Sequence, residues 1–464
     1  MLPKPSLTFT VPSLHDGLPI DCRVYHPHSL APSPSAPPWQ KHAAVVAHPY
    51  APLGGCYDDP IVDIVAGTLL RLGFLVGTFN FRGAHGSAGR TTWTAKAERA
   101  DYQSVVGFMY YYVHFLEPLS QASPSQPDSK GHGEEQADAD EEDTSIIRLC
   151  PPTPDGSPLS PARSAARPVL LLGGYSYGAM ITSQLPSLDT IMAVFRGPVR
   201  DRPAAEIRLR AQHMAEMQNR ILASARHAAI DRLTTRSPRK HAGMRVGGDE
   251  ESRSSHESRR PLSAEFEEAV RHGVAELMAR AGKRPRRTLS DQSQNSWDPE
   301  GIAEGSKHAA ERLPPVPGLI TYRPAYLLVS PLQGIITNLA TMSLPSALSG
   351  ITGKLLTRIS AMTREETAEL SGAEPSLLAR ATAVEAEDKL VRSPTLAIYG
   401  DRDGFVPVRK LREWASRLEG RPGSKFRAHE VSSANHFWAQ GNVASTLKEA
   451  VRAFGTSLLG DSAH

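Results

Sequence analysis

The sequence predicts an α/β protein: a mostly parallel central sheet with helices on both faces, interrupted by long insertions. Three observations predict it. Short apolar runs of strand length alternate with helix-period segments, the pattern of strand–helix–strand units. The most apolar of these runs ends in a glycine-flanked serine turn, Gly174-Tyr175-Ser176-Tyr177-Gly178, a G-x-S-x-G motif. Between the alternating units lie stretches rich in Pro, Ser and charge that cannot build a core. The 464 residues include 38 Pro and 36 Gly, and mean hydropathy is −0.32, which fits one enzyme-sized domain carrying such stretches better than several compact domains.

Taken in order, Leu7 to Val11 and Ile20 to Tyr25 are β-rich runs joined across Asp16-Gly17, a hairpin signal. A Pro/Ser-rich linker from Ala31 to Pro38 precedes a small buried strand, Ala43 to Ala47, which opens into His48-Pro49-Tyr50 and Leu53-Gly54-Gly55. Apolar residues at Ile61, Ile64, Val65, Leu69 and Leu72 mark a helix that Gly73 stops. Phe74 to Phe81 is the next strand, followed by Arg82-Gly83 and Gly86, and Lys96 to Leu116 reads as a helix with an aromatic stripe. Val169 to Leu172 is a strand buried on both faces, and Ala179 to Leu185 a helix. Ala325 to Val329, Thr395 to Ile398 and Phe426 to Val431 continue the sheet; Arg409 to Leu418 and Ala444 to Leu458 are helices, and Ser432 to Trp438 is a loop.

The expected organisation is a first half of the core at 1–116, an acidic Pro/Ser-rich insert at 117–166, the nucleophile strand, turn and helix at 167–196, a basic insert at 197–316, and the second half of the core at 317–464 with a small cap at 352–392. The first insert carries the acidic run Glu134 to Asp143 and is expected to be disordered. The second holds two amphipathic patterns, Pro203 to Leu233 and Ala264 to Ala281, read as a lid or as a pair of helices laid over the core, with at least one expected to pack near the sheet's open edge as a lid. Arg284 to Gln294 is expected to lack regular structure. Lys283 to Arg287 matches a nuclear-import or phosphate-binding run and Ser290 a basophilic kinase site, though a solvated charge run is the usual reading.

A serine hydroxyl is a weak nucleophile at neutral pH and needs a base, itself oriented by a third group. Ser176 sits on the turn between strand and helix, where side chains at Gly174 and Gly178 would collide with neighbouring backbone. A Gly-rich loop after any buried strand would read similarly, so the rest of the chain has to decide. Asp403 follows the strand at Thr395 to Ile398, and His436 follows the next one. In a parallel sheet the loops after strands share one edge, so Ser176, Asp403 and His436 converge there in the order serine, acid, histidine. Asp401 is read as a turn cap and Asn435 as a loop residue. An oxyanion hole needs two backbone donors; the amide of Tyr177 is one, and Tyr50, with Ala51 as the alternative, is the other. His48 is read as a loop residue bonded to backbone.

The segments HPYAPLGG, TFNFRGAHGSAG, LLGGYSYGA, YGDRDGFVP and ANHFW resemble the α/β-hydrolase superfamily, in particular the dienelactone-hydrolase-like small hydrolases of bacteria and fungi. The resemblance covers Leu7 to Leu116, Pro168 to Arg196 and Tyr322 to the C-terminus. It implies the α/β-hydrolase fold and a serine hydrolase of ester-like substrates, with Asp403 at the family's Gly-x-x-Asp spacing from Gly400. Dienelactone hydrolases proper carry cysteine at the nucleophile, and Ser176 argues against that activity.

Composition narrows the remaining classes. A formal charge of +3 gives no global nucleic-acid footprint. Cys22, Cys56 and Cys150, with no C-x-x-C, suit a reducing compartment and neither a disulfide framework nor a zinc site. MLPKPSLTF lacks a secretory pattern, and Ala325 to Leu344, broken by Pro331, Gln333 and Asn338, is not a membrane span. The expectation is a cytoplasmic enzyme with a small-molecule ester-like substrate, no metal or organic cofactor, and no specific nucleic-acid partner; Lys283 to Arg287 is the one nuclear signal. The competing reading is a catalytically weak scaffold that binds protein partners through its oppositely charged inserts.

Overall fold

The computed structural model describes residues 1–33, 35–92, 94–117, 167–234, 263–282, 311–333 and 377–460. Among these, eight strands form one sheet: β1 (Leu7–Pro12), β2 (Pro19–Tyr25), β3 (Ala43–Ala47), β4 (Leu75–Phe79), β5 (Val169–Tyr175), β6 (Arg323–Val329), β7 (Thr395–Arg402) and β8 (Phe426–Asn435). Their order across the sheet is β1-β2-β4-β3-β5-β6-β7-β8. The hairpin β1–β2 and the pairing of β2 with β4 are antiparallel, and every pairing from β4 to β8 is parallel. This is the sheet of the α/β-hydrolase fold. β5 lies at its centre with all seven residues buried, as a strand covered on both faces must be.

Helices α1 (Pro60–Arg71) and α9 (Val443–Gly460) cover one face and pack on each other. The start of α1 is written locally: the Asp59 side chain accepts from the amides of Ile61 at 2.8 Å and Val62 at 3.4 Å, and Pro60 occupies the first turn, where its missing N–H costs nothing. The other face carries α2 (Lys96–Phe115), α3 (Tyr177–Gln184), α4 (Leu188–Arg196), α7 (Leu377–Arg392) and α8 (Val408–Glu419). The aromatic stripe of α2 is its buried face: Tyr102, Phe108, Tyr111 and Tyr112 are fully enclosed. Tyr102 also donates to the carbonyls of Val45 and Gly173, at 3.0 and 2.7 Å, so a polar tip is satisfied inside the core.

Helices α5 (Pro203–Thr234) and α6 (Ser263–Gly282) differ from the expected lid. α5 packs on α2, α4 and β1, and α6 on α5 and β1, at the hairpin end of the sheet. The apolar face of α5, with Ala205, Ile207, Ala211 and Met214 enclosed, meets the aromatic side of α2, and Arg210 donates to the Thr10 carbonyl of β1 at 2.9 Å. Gly273 lets α6 approach: a Cβ there would stand 2.0 Å from the His213 ring. These faces had no need of the sheet edge that carries Ser176, because the flank of α2 and edge strand β1 offered apolar surface.

The described part of the expected cap, α7, is likewise a flanking helix. It packs on α3, where the buried Lys389 Nζ donates to the carbonyls of Thr182, Ser183 and Leu185 at 3.0, 2.8 and 2.5 Å. Those bonds cap the C-terminal end of α3, and burial pushes the Lys389 amine well below its ordinary range. Several strand boundaries also moved: β5 runs on to Tyr175, β6 starts at Arg323 and β7 runs on to Arg402. β4 ends at Phe79, because the Asn80 side chain turns to accept from the Tyr57 amide at 2.9 Å. β8 continues through Asn435 instead of ending at Val431, its register to β7 shifting between Gly400 and Arg402. Gly400 allows this, since a Cβ there would lie 2.0 Å from the Ala434 carbonyl oxygen. The acidic run 134–143, the basic run 283–287, Ser290, segment 284–294 and cap residues 352–376 lie outside the described residues.

No helix among the described residues is long and apolar enough to cross a membrane. If α5 is a buttress of the core, Ile207→Ala lowers unfolding free energy by about 2–5 kcal/mol, read by urea denaturation. An unchanged unfolding free energy would show that α5 does not support the sheet.

Candidate active site

Ser176 stands between β5 and α3 at φ 56° and ψ −113°, a conformation L-residues adopt only under constraint. The constraint comes from close backbone packing. A Cβ at Gly174 would lie 2.4 Å from the Gly178 carbonyl carbon, and one at Gly178 would lie 2.6 Å from the carbonyl oxygens of both Ala47 and His48. Both glycines are therefore required by contact. The Ser176 amide donates to Val329 of β6 at 2.8 Å, and its carbonyl receives the Met180 amide at 3.0 Å, which ties the turn to sheet and helix together.

At the same sheet edge the loop after β7 supplies Asp403 and the end of β8 supplies His436. Ser176 Oγ lies 2.7 Å from His436 Nε2, and His436 Nδ1 lies 2.7 Å from Asp403 Oδ2. A carboxylate only accepts, so Nδ1 carries the proton and Nε2 is left as the acceptor facing the serine hydroxyl. Ser176, Asp403 and His436 are 6%, 9% and 3% exposed, low enough that water competes little for these bonds. The second Asp403 oxygen accepts from the amides of Phe405 at 2.8 Å and Val406 at 3.1 Å, which fixes the carboxylate plane. Asp401 is engaged elsewhere, accepting the Ser433 amide at 2.7 Å, and Asn435 accepts from the Ala439 amide at 3.4 Å. The imidazole is flanked by Phe405 at 4.4 Å and by Tyr175 and Phe437, each at 5.7 Å between ring centroids.

The loop after β3 abuts the serine turn. The Tyr50 ring packs on that of Tyr177 at 5.1 Å, and the chain makes a single 3₁₀ turn over Ala51–Leu53. His48, fully enclosed, holds the root of this loop: its Nε2 accepts from the Phe81 amide at 2.8 Å, so Nδ1 is the protonated nitrogen and donates to the Pro49 carbonyl at 2.6 Å. At the other end of β3, His42 accepts the Val169 amide at 3.0 Å on Nδ1. The two imidazoles tie β3 to β4 and to β5.

Sequence reasoning missed several residues around this edge. Arg82, 4% exposed at its side chain, grips Asp101 through Nε at 2.8 Å and Nη2 at 2.6 Å and reaches Asp16 at 2.9 Å, which closes the loop after β4 onto α2. An arginine directly after a buried strand, with an acid on the following helix, was the available signal. Trp438 Nε1 donates to Ser330 Oγ at 3.0 Å, and Tyr175 Oη donates to the His436 carbonyl at 2.9 Å. Nothing in residue type or spacing announces these two.

The sequence matches no protein-family model and no curated protein. Among solved structures it is similar to an α/β serine hydrolase homologue from Coxiella burnetii, at 10% identity, 98% of this chain, 99% of that one and a TM-score of 0.37. XC6422 of Xanthomonas campestris, an α/β serine hydrolase without lid, gives 13% identity, 98% and 96% coverage and a TM-score of 0.37. Est1E of Butyrivibrio proteoclasticus gives 10%, 98%, 100% and 0.38. Likeness this low bears on neither substrate nor residue roles, which rest on the geometry above.

Burial pushes the His48 imidazole down to about 4, and it stays neutral in the fold. The unfolded chain takes up that proton below its ordinary value near 6.5, so the stability is complete above that pH and is lost as pH falls through the window down to about 4. For one such histidine the loss at pH 5 is about 2 kcal/mol. His48→Gln should therefore shrink the stability difference between pH 7 and pH 5 by about that amount in paired urea denaturations; an undiminished difference would show that His48 is not the titrating group.

Proposed function

We propose that the protein is a serine hydrolase of ester-like substrates, carboxylic esters or thioesters, working through Ser176, His436 and Asp403. The observation that carries this reading is the unbroken hydrogen-bonded line from Ser176 Oγ through His436 to Asp403, both links at 2.7 Å, at the edge of a parallel sheet. Ser176 attacks the carbonyl carbon while Nε2 of His436 takes its proton. The imidazolium then delivers that proton to the leaving oxygen or sulfur, and the acyl group stays on Ser176. Water, deprotonated in turn by His436, releases the acid and restores the serine. Asp403 holds the imidazole in the tautomer that leaves Nε2 free and favours the cation that forms transiently.

The amides of Tyr177 and Tyr50 are the proposed donors to the developing oxyanion. Tyr177 opens α3, whose N-terminal amides have no intrahelical acceptor, and the α3 dipole adds to their positive potential. The contact of Gly178 with the carbonyls of Ala47 and His48 supports the pairing, because it presses the loop root against the start of that helix.

Ser176→Ala should abolish hydrolysis of a short p-nitrophenyl ester and labelling by a fluorophosphonate while the unfolding transition stays in place. Equal labelling of wild type and variant would remove Ser176 as nucleophile. Asp403→Asn should retain the fold and lower kcat by about four orders of magnitude, since the amide favours the wrong tautomer.

A further inference from the structure

Nδ1 of His436 is held by Asp403, Nε2 faces Ser176 Oγ, and the ring is flanked by Phe405, Tyr175 and Phe437, but these contacts act on the ring and not on the main chain that carries it. A further bond acts on the main chain. Tyr175 Oη donates to the His436 carbonyl at 2.9 Å, a buried bond spanning 261 positions of sequence. Tyr175 is the last residue of β5 and the immediate neighbour of Ser176. One short piece of backbone therefore carries both the hydroxyl that His436 must reach and the hydroxyl that holds His436 in place.

The segment needs such an anchor. Ser433 and Trp438, either side of His436, both have positive φ, 65° and 56°, and β8 has just slipped its register against β7. A chain in these conformations persists only where its surroundings over-determine it. Trp438 is pinned through Nε1 to Ser330 at 3.0 Å, and the turn closes by the Trp438 amide on the Asn435 carbonyl at 3.2 Å, so Tyr175 is the restraint that acts on His436 itself. The Tyr175 side chain is suited to this: 3% exposed, with its ring 5.7 Å from the imidazole, and burial raises the hydroxyl pKa so that it remains a donor across working pH.

We infer that Tyr175 is a positioning residue: by holding the main-chain carbonyl of His436, its hydroxyl sets where the imidazole stands between Ser176 and Asp403. The inference rests on the proposed hydrolase chemistry for its consequence in turnover, though not for its geometry. Removing the hydroxyl leaves the His436 carbonyl buried without its donor, and the loop relaxes to recover one, carrying the imidazole with it. A displacement of this kind acts on proton transfer more than on substrate binding.

The test compares Tyr175→Phe with Tyr102→Phe, which also deletes a buried hydroxyl bonded to main-chain carbonyls, those of Val45 and Gly173. With active sites counted by fluorophosphonate, Tyr175→Phe should lower kcat per site about tenfold or more with KM nearly constant. Tyr102→Phe should lose stability but keep its kcat per site. Independently of turnover, the low-field proton resonance of the His436–Asp403 bond, assigned by its absence in His436→Gln, should shift or broaden in Tyr175→Phe and stay put in Tyr102→Phe. An unmoved resonance in Tyr175→Phe, or an equal effect of both variants, overturns the positioning role. A wild type that hydrolyses nothing while the resonance still responds only to Tyr175→Phe would refute the hydrolase reading and leave this inference standing.

Discussion

The positive φ at Ser176 is the constraint on which the rest of this structure depends. Holding a serine in that region costs of order 1–3 kcal/mol and persists only if surrounding packing leaves no alternative. Here the packing is backbone on backbone: Gly174 against Gly178, and Gly178 against the ends of β3. A turn that tight projects the hydroxyl out of the sheet edge and starts α3 at the next residue. The strain at one residue thus aligns the Ser176 hydroxyl, a helix N-terminus and the loop after β3.

Such a turn needs rigid neighbours, and the fold supplies them with buried polar groups rather than apolar contact alone. Lys389 caps the far end of α3, the Arg82–Asp101 pair fixes the loop after β4, and His42 and His48 tie β3 to β5 and β4. Each is a group whose burial is costly unless every partner is present, so each defines one geometry sharply. The histidines are neutral because burial depresses both to about 4, and that is what lets one ring nitrogen accept a backbone N–H. Apolar side chains of equal size would hold the same layers together without dictating the loop paths.

Much of this was legible in the residues. The alternation of apolar runs specified the parallel sheet because a strand buried on both faces has little choice of residue, as in Val169 to Leu172. The glycines beside Ser176 announced their turn for the same steric reason that the structure displays. Asp403 and Asp401 were separable by spacing, and the geometry assigns them different partners, His436 and the Ser433 amide. The end of β8 was not legible: Ser432 to Asn435 has the composition of a loop, and only the gap above Gly400 lets it continue as strand. Nor were Tyr175 and Trp438, since a buried aromatic reads as packing and its hydrogen bond is set by folding distant segments together.

The misplaced lid has a more general cause. An amphipathic pattern states that a helix will bury one face, and nothing in it names the surface that receives it. Helix α5 follows α4 after a short connection, so the surfaces within its reach were the flank of α2 and strand β1, far along the sheet from β7 and β8. Burial there also settles two liabilities at once. It covers an edge strand that would otherwise offer free N–H and C=O groups to another chain, and it encloses the outer aromatic side of α2. The described part of the basic insert is therefore tied to the stability of the sheet, while the residues around Ser176 owe their arrangement to β5, β7 and β8.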